Sequence, residues 1–218
     1  MKAFINLIAL VIFIITQATA QISEKKQLLY SNKFSVLAGL VQPTILRGGN
    51  IEINYFTNRI SFDYSHGFSL DPPADENYKK PNILLHLPFS TGFGIGYRFT
   101  SYLDLRVEPK LHSWEVYNKG EGQTHATRIA EFQTFTLGLG LYYRYFPFRN
   151  SESKFLQGIT TSSSIRWWQN VGTTLSKDEL TYTNKIPGNR DTVKAPNIGI
   201  ANTPIVINVA VGYTFGGK

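Results

Sequence analysis

A period of two in chemical character runs through residues 89–111, whose sequence is FSTGFGIGYRFTSYLDLRVEPKL. In the second half charged residues alternate with mostly aliphatic ones, and in the first half glycines alternate with aromatic and aliphatic ones. A period of two is that of a β-strand, whose successive side chains point to opposite faces of the sheet. The pattern therefore predicts two strands joined by a tight turn at residues 100–102. One face would carry bulky apolar groups, and the other glycines and ions.

Similar alternation recurs along the chain and predicts eight strands in all. It is clearest in residues 131–146 and 204–215, and weaker in the other segments. The predicted strands are residues 34–41, 51–55, 60–68, 89–99, 103–117, 131–146, 155–168 and 204–215.

The connections between these strands alternate in length. The short ones are residues 56–59, 100–102 and 147–154, and the longer ones are residues 42–49, 69–88, 118–129 and 171–203, although 147–154 and 42–49 have the same length. Alternation of short turns with longer polar loops, on an even number of strands, is typical of bacterial outer-membrane barrels. A soluble sandwich gives no reason for such sorting.

The two-faced strands predict which solvent each face meets. Because every backbone hydrogen bond must be made internally in hydrocarbon, the sheet has to close, with its apolar face towards lipid. The predicted fold is all-β: an eight-stranded antiparallel transmembrane up-and-down β-barrel over residues 33–218. A soluble lipocalin-like barrel, with its apolar row inward around a small ligand, is the inverse alternative.

A tight turn at residues 100–102 sets the expected register, with Arg98 opposite Asp104. The glycines at 96, 94 and 92 would then face Arg106, Glu108 and Lys110, and leave room for their side chains. Eight strands enclose only enough space for side chains, so the ions predict a plug of ion pairs rather than a permeation pathway. The residues expected in this network are Glu52, Asp63, Arg98, Asp104, Arg106, Glu108, Lys110, Glu131 and Arg144.

Aromatic residues are expected to ring the barrel at both membrane interfaces. The ring at the ends with short turns would contain Phe34, Tyr55, Phe99, Tyr145, Phe146, Phe155 and Phe215. The ring at the opposite ends would contain Tyr64, Phe68, Trp114, Trp167 and Trp168.

The first twenty residues resemble a cleavable secretory signal. A short charged start is followed by an apolar run and an Ala-x-Ala-type end, and the run is too short for a comfortable membrane-spanning helix. We expect residues 1–20 to be removed and residues 21–32 to form a short periplasmic segment.

The chain has no cysteine, so it has no disulfide or thiolate metal site. Its net charge of +7 is scattered without a basic run, so no nucleic-acid partner is expected.

The four histidines are the weak candidates for a metal site: His66, His86, His112 and His125. Their spacing matches no metal-binding pattern, so no metal and no cofactor are predicted. An enzyme alternative uses His112, Ser113 and Glu115, which resemble the His, Ser and Glu of lipid A deacylases. Neighbouring strand residues point to opposite faces, however, which separates His112 from Ser113.

The segment GFGIGYRF followed by a tight turn and LDLRVEP resembles small eight-stranded outer-membrane barrels of Gram-negative bacteria. These include the OmpA transmembrane domain, OmpX and the PorT-like barrels of Bacteroidota. The terminal VAVGYTFGGK resembles a β-signal, with Tyr213 and Phe215 as its aromatic residues, although three residues follow Phe215. The resemblance implies an outer-membrane location with periplasmic termini. It also implies outer-membrane lipid or lipopolysaccharide and the barrel assembly machinery as partners.

The sequence thus predicts a non-enzymatic outer-membrane barrel with a plugged polar interior. It would act in envelope or surface interaction, or as an accessory to secretion with a partner that the sequence does not identify. The alternatives are a lipid A-modifying enzyme and a narrow pore or small-ligand carrier.

Overall fold

The computed structural model describes residues 32–72, 83–183 and 189–216. The predicted signal segment, and nearly all of the predicted periplasmic segment, lie outside these residues. Ten strands are present among them: β1 (Lys33–Gly39), β2 (Gly49–Phe56), β3 (Ile60–Leu70), β4 (Ile83–Arg98), β5 (Leu103–Asn118), β6 (Arg128–Tyr145), β7 (Ile159–Thr173), β8 (Glu179–Thr183), β9 (Arg190–Lys194) and β10 (Ile205–Phe215). Two short helices, α1 (Val41–Ile45) and α2 (Lys154–Gln157), and two 3₁₀ turns (Ser176–Asp178 and Ile200–Asn202) complete the described elements.

Eight of the strands close into one antiparallel barrel in the order β1-β10-β7-β6-β5-β4-β3-β2. The first and last strands seal it, with pairs from Phe34 opposite Phe215 to Gly39 opposite Ala210. Each barrel strand pairs with the next barrel strand along the chain, and β7 pairs with β10 because β8 and β9 form a separate two-stranded sheet. The topology of the barrel is therefore up-and-down. The prediction of an eight-stranded antiparallel β-barrel is confirmed.

The barrel has apolar side chains on its outside and polar ones on its inside. Outward residues at the middle of β4 and β6 are exposed, with Phe93 at 63% and Leu139 at 46%. Inward residues of the same strands include the buried Arg98 and Arg144, and the neighbouring strands β2, β3 and β5 contribute buried carboxylates. This partition is the reverse of that in a soluble barrel and excludes the lipocalin-like alternative.

The connections are sorted between two ends of the barrel. Residues 57–59, 99–102 and 146–158 lie at one end, called here the turn end. Residues 40–48, 71–72, 119–127, 174–183 and 189–204 lie at the other, the loop end. The segment 146–158 is longer than expected because β7 begins at Ile159 rather than at Phe155. Ser153 caps α2 by accepting a hydrogen bond from the Leu156 backbone nitrogen, and this turn of helix replaces the predicted strand start.

Strand β4 also begins earlier than expected, at Ile83, which shortens the predicted loop 69–88. A bulge between His86 and Ser90 contains Pro88, which has no backbone N–H to donate. The bulge changes the parity of the inward side chains, so that both Leu87 and Ser90 are buried. Because the alternation is broken there, the strand is hard to recognise from the sequence.

A hairpin of β8 and β9 covers the loop end, within a segment predicted to be an open polar loop. Its inner residues Leu180 and Tyr182 belong to one apolar cluster with Trp114 and Phe132. We call this cluster the apolar cap; its other buried members are Leu70, Ile83, Leu87 and Val116.

The cap changes the expected outer aromatic ring. Trp114 and Trp168 are buried and face inward, whereas Trp167 is exposed. The prediction that Trp114 and Trp168 belong to this ring is wrong, since even-numbered residues of β5 and β7 point into the barrel. No helix within the described residues is long and apolar enough to cross a membrane.

Candidate functional site

The interior of the barrel holds most of the residues predicted to form an ion-pair network. Strands β4 and β5 pair in the expected register, with Arg98 opposite Asp104, Gly96 opposite Arg106 and Gly92 opposite Lys110. Every second side chain of β5 therefore points inward, and its ions are stacked along the barrel axis.

Arg106 is the centre of this network. Its Nε donates to Asp104 at 2.5 Å, and its Nη1 lies within 3.2 Å of Glu52 and 3.1 Å of Asp63. The same Nη1 donates to Asn54 at 2.7 Å. Charge-assisted hydrogen bonds of this kind are the strongest in proteins, and these connect β5 with β2 and β3.

Asp104 has a second cation on its other side. Arg144 Nη2 lies 3.0 Å from its carboxylate, and Ser61 donates to it at 3.1 Å. The Arg144 guanidinium lies 3.6 Å from the centre of the Phe56 ring, and that of Arg98 lies 5.3 Å from it. Phe56 thus provides an aromatic face for cations at the turn-end side of the network.

Glu108 organises the interior nearer the loop end. It accepts hydrogen bonds from the Tyr142 hydroxyl at 2.5 Å and the Trp168 indole at 3.2 Å. Lys110 Nζ lies 3.9 Å from the same carboxylate and donates to Ser65. These contacts join β3, β5, β6 and β7.

Arg166 also belongs to the network, although the sequence did not identify it. Its Nη2 lies 3.5 Å from Glu52, its Nε donates to Ser164 at 2.9 Å, and its guanidinium lies 4.9 Å from the Tyr142 ring centre. The preceding residues 160–164 are all Thr or Ser, so the pattern does not show which face of β7 is inward. The sequence offers one indication: Arg166 lies two residues before Trp168 on the same strand, so the two side chains share a face.

Glycines supply the space for these side chains. A Cβ atom at Gly96 would lie 2.6 Å from Arg106 Cγ, which agrees with the expected pairing. At Gly94 it would lie 2.2 Å from the carboxylate of Asp63, so the neighbour that fills this space comes from β3 and is not Glu108.

Glu131 lies outside the network, contrary to the prediction. It is on the outer face of β6, 52% exposed at its side chain, and 3.0 Å from Arg128. Inward residues of β6 have even numbers, as Phe132 and Arg144 show. The nine buried ionic side chains of the described residues are Glu52, Asp63, Asp104 and Glu108 with Arg98, Arg106, Lys110, Arg144 and Arg166.

The interior is closed again at the loop end by the apolar cap. Trp114 stacks on Phe132 with ring centres 6.1 Å apart, and its indole donates to Thr134 at 2.8 Å. Burial raises the pKa of the Tyr182 phenol in the hairpin, and the charge of Asp191 raises it further. The phenol therefore stays neutral, as suits a group packed in an apolar cluster.

The four histidines do not come together. His112 is buried inside, between Ser90 at 2.7 Å and Thr136 at 2.9 Å. His86 pairs with Asp71 at 2.7 Å near the loop end, and His66 lies on the outer face. His125 lies in the loop 119–127. The described residues contain no group of three or more potential ligands that could hold a metal ion.

The deacylase-like residues are separated as well. His112 faces the interior, whereas Ser113 belongs to the outward parity of β5. Glu115 is held by Arg128 at 2.5 Å and by the Tyr117 hydroxyl at 2.7 Å. None of the described contacts joins the three side chains.

The two aromatic residues of the predicted β-signal lie at the seam of the barrel. The Tyr213 and Phe215 rings are 4.6 Å apart, and Phe215 is 6.3 Å from Phe34 of the first strand. Their recognition by an assembly machinery stays a prediction.

No protein-family profile matches the chain, and no curated protein sequence matches it. Similar solved structures include the N-terminal β-barrel domain of Pseudomonas aeruginosa OprF, with 14% identity and a TM-score of 0.36 over 85% of this chain and 97% of that chain. Ail, the attachment invasion locus protein of Yersinia pestis, has 10% identity and a TM-score of 0.38 over 85% and 97%. A major outer membrane protein of Thermus thermophilus has 10% identity and a TM-score of 0.43 over 85% and 99%. No family assignment follows from similarities at this level.

The network predicts unequal effects for two carboxylate-to-amide substitutions. Asp104→Asn leaves Arg106 and Arg144 without their shared buried counter-charge, and we expect it to lower the free energy of unfolding by about 3–5 kcal/mol. Glu131→Gln removes an exposed partner and should leave that free energy nearly unchanged. Urea unfolding of the refolded barrel measures both. Equal effects of the two substitutions would contradict the placement of Glu131 outside the network.

Proposed function

We propose that the protein is an integral outer-membrane barrel that neither conducts nor catalyses, and that interacts with a partner through its loop end. The observation that carries the proposal is the partition of the barrel, with exposed apolar residues outside and paired ions inside. This arrangement is unfavourable in water because a continuous apolar exterior would drive association. It is favourable in a bilayer.

The height of the apolar belt matches a membrane. On β6 its outward residues run from Phe135 to Tyr145, and ten residue steps of about 3.3 Å, tilted by about 40°, span about 25 Å. Beyond Phe135 the outer face becomes ionic, with Arg128 lying between Glu115 and Glu131. These ions support an upper limit of the hydrocarbon just beyond Phe135.

A role without conduction is supported by the closed interior. Ion pairs fill the middle of the barrel, and the apolar cap covers its loop end. An eight-stranded barrel has no width left for a water-filled path once large side chains occupy it.

The loop end supports a role in surface interaction. Strands β4 to β7 have 15 to 18 residues each, whereas β1 and β2 have 7 and 8. The long strands therefore extend beyond the belt, and the hairpin of β8 and β9 packs against them. We propose that this folded platform faces the cell exterior, with both chain ends in the periplasm.

The other roles considered from the sequence have less support. The separation of His112 from Ser113 gives a lipid A-modifying reaction no assembled site among the described residues. A role as an accessory to secretion, which resemblance to PorT-like barrels implies, stays a prediction. So do the assembly machinery and lipopolysaccharide as partners.

Insertion predicts that a charge in the belt is costly. Leu139→Arg places a cation near the middle of the belt and should lower the unfolding free energy in lipid vesicles by about 2–4 kcal/mol. The matched control is Thr183→Arg in the hairpin of β8 and β9, where the side chain is exposed beyond the belt. Its unfolding free energy should stay close to that of the wild type. Similar losses in the two variants would contradict the position of the belt.

Single cysteines test the orientation, since the natural chain has none. Thr183→Cys in the hairpin should react with a membrane-impermeant maleimide on intact cells. Asn58→Cys, in the turn 57–59, should react only after the outer membrane is permeabilised. Both residues are exposed in the fold, so access through the membrane decides the result. The reverse labelling pattern would overturn the proposed orientation.

The filled interior predicts no stepwise conductance in planar bilayers. The preparation should contain folded barrel, verified by a heat-dependent shift in gel mobility. Reproducible single-channel steps from such a preparation would contradict a closed interior, while loss of the heat-dependent shift would contradict the barrel itself.

A further inference from the structure

A cavity of about 460 Å³ lies under the turn end of the barrel. Its walls come from the start of β1, the turn 99–102, the segment 146–158 and the end of β10. This volume is in the range of small-ligand pockets. The cavity exists because segment 146–158 folds along the barrel mouth, where the Gly158 carbonyl accepts a hydrogen bond from the Thr214 backbone at 2.8 Å.

The lining of this cavity is cationic. Lys33, Arg149 and Lys154 contribute to it, and none of the described residues that line it is an Asp or Glu. Arg149 Nη1 donates to the Tyr102 hydroxyl at 3.0 Å, and Lys33 Nζ lies 5.4 Å from the centre of the Phe146 ring. These contacts hold two of the cations at the wall.

Two buried arginines lie behind the lining. Arg144 Nη2 is 3.4 Å from the carbonyl of Ser101, which itself lines the cavity. Arg144 Nε and Nη1, and Arg98 Nε, are buried and have no hydrogen-bond partner. Their positive charge adds to that of the lining, so the cavity attracts anions.

One wall of the cavity is aromatic and continues onto the outer surface. Tyr213 and Phe215 line it and have the outward parity of β10. Phe155, 68% exposed, stacks on Tyr213 with ring centres 5.5 Å apart. A ligand with an anionic head and an apolar body could therefore contact both the cations and the rings.

We propose that this cavity binds the phosphate of an anionic phospholipid from the leaflet at the turn end. The inference rests on the membrane insertion proposed above, which places the cavity at the level of lipid headgroups. A lining of cations disfavours an ethanolamine headgroup, because its ammonium would be repelled. The cavity should therefore prefer phosphatidylglycerol over phosphatidylethanolamine.

Native mass spectrometry of the full barrel in non-ionic detergent tests this preference. The protein is mixed with equal amounts of the two lipids, and retained lipid is counted. We expect one retained phosphatidylglycerol, and a loss of retention of roughly tenfold or more in Lys33→Gln/Lys154→Gln. The control Lys119→Gln/Lys177→Gln changes the net charge equally at the loop end and should retain the lipid like wild type.

Three outcomes would overturn the inference while leaving the proposed insertion intact. They are equal retention of the two lipids, equal loss in both double variants, and complete displacement of the lipid by inorganic phosphate, which would indicate a site for free anions. Failure of the barrel to fold in detergent, seen as a missing heat-dependent gel shift, would instead contradict the proposed function.

Discussion

The arrangement of the interior depends on the ion pairs that the guanidinium of Arg106 makes with carboxylates. This guanidinium binds Asp104 on its own strand and reaches Glu52 and Asp63 on two others. Arg144 and Arg166 also contact Asp104 and Glu52, but Arg106 is the cation that all three carboxylates share. An uncompensated buried charge costs several kcal/mol, so this shared cation stabilises their close approach. Its position is possible only because Gly96 stands opposite and leaves the space that a side chain would occupy.

The filled interior and the apolar exterior are two consequences of closing eight strands. Closure satisfies the backbone, so the outer surface can consist of apolar side chains alone. It also fixes a narrow interior, in which ions must be paired or lie against aromatic faces such as Phe56. At the loop end the same strands continue beyond the belt. Ions there can be hydrated, and an ionic cluster that includes Glu115 and Arg128 lies on the outer face of the barrel. The side chains on the outer face at each height of the barrel are thus those that suit the solvent expected there.

The prediction from sequence was most successful where alternation was uninterrupted. Strands β4 and β5 show it, and three of their predicted pairs occur in the structure. It failed where a local feature hid the alternation. Pro88 and its bulge concealed the start of β4, and the capped helix at Ser153 displaced the start of β7. In β7 the Thr and Ser residues on both faces concealed Arg166. Glu131 was wrongly assigned to the interior. It is an odd number of residues from Arg144 on the same strand, so the two side chains point to opposite faces.

The sequence by itself determined the strand period, the number of barrel strands and which chemical groups share a face, because these depend only on neighbours along the chain. The tertiary structure decided which strands supply the partners of each ion, since Glu52 meets Arg106 and Arg166 only after the sheet has closed. It also decided that the hairpin of β8 and β9 covers the loop end and that segment 146–158 lines a cationic cavity. Both depend on contacts between residues distant in sequence, which a periodic pattern does not encode.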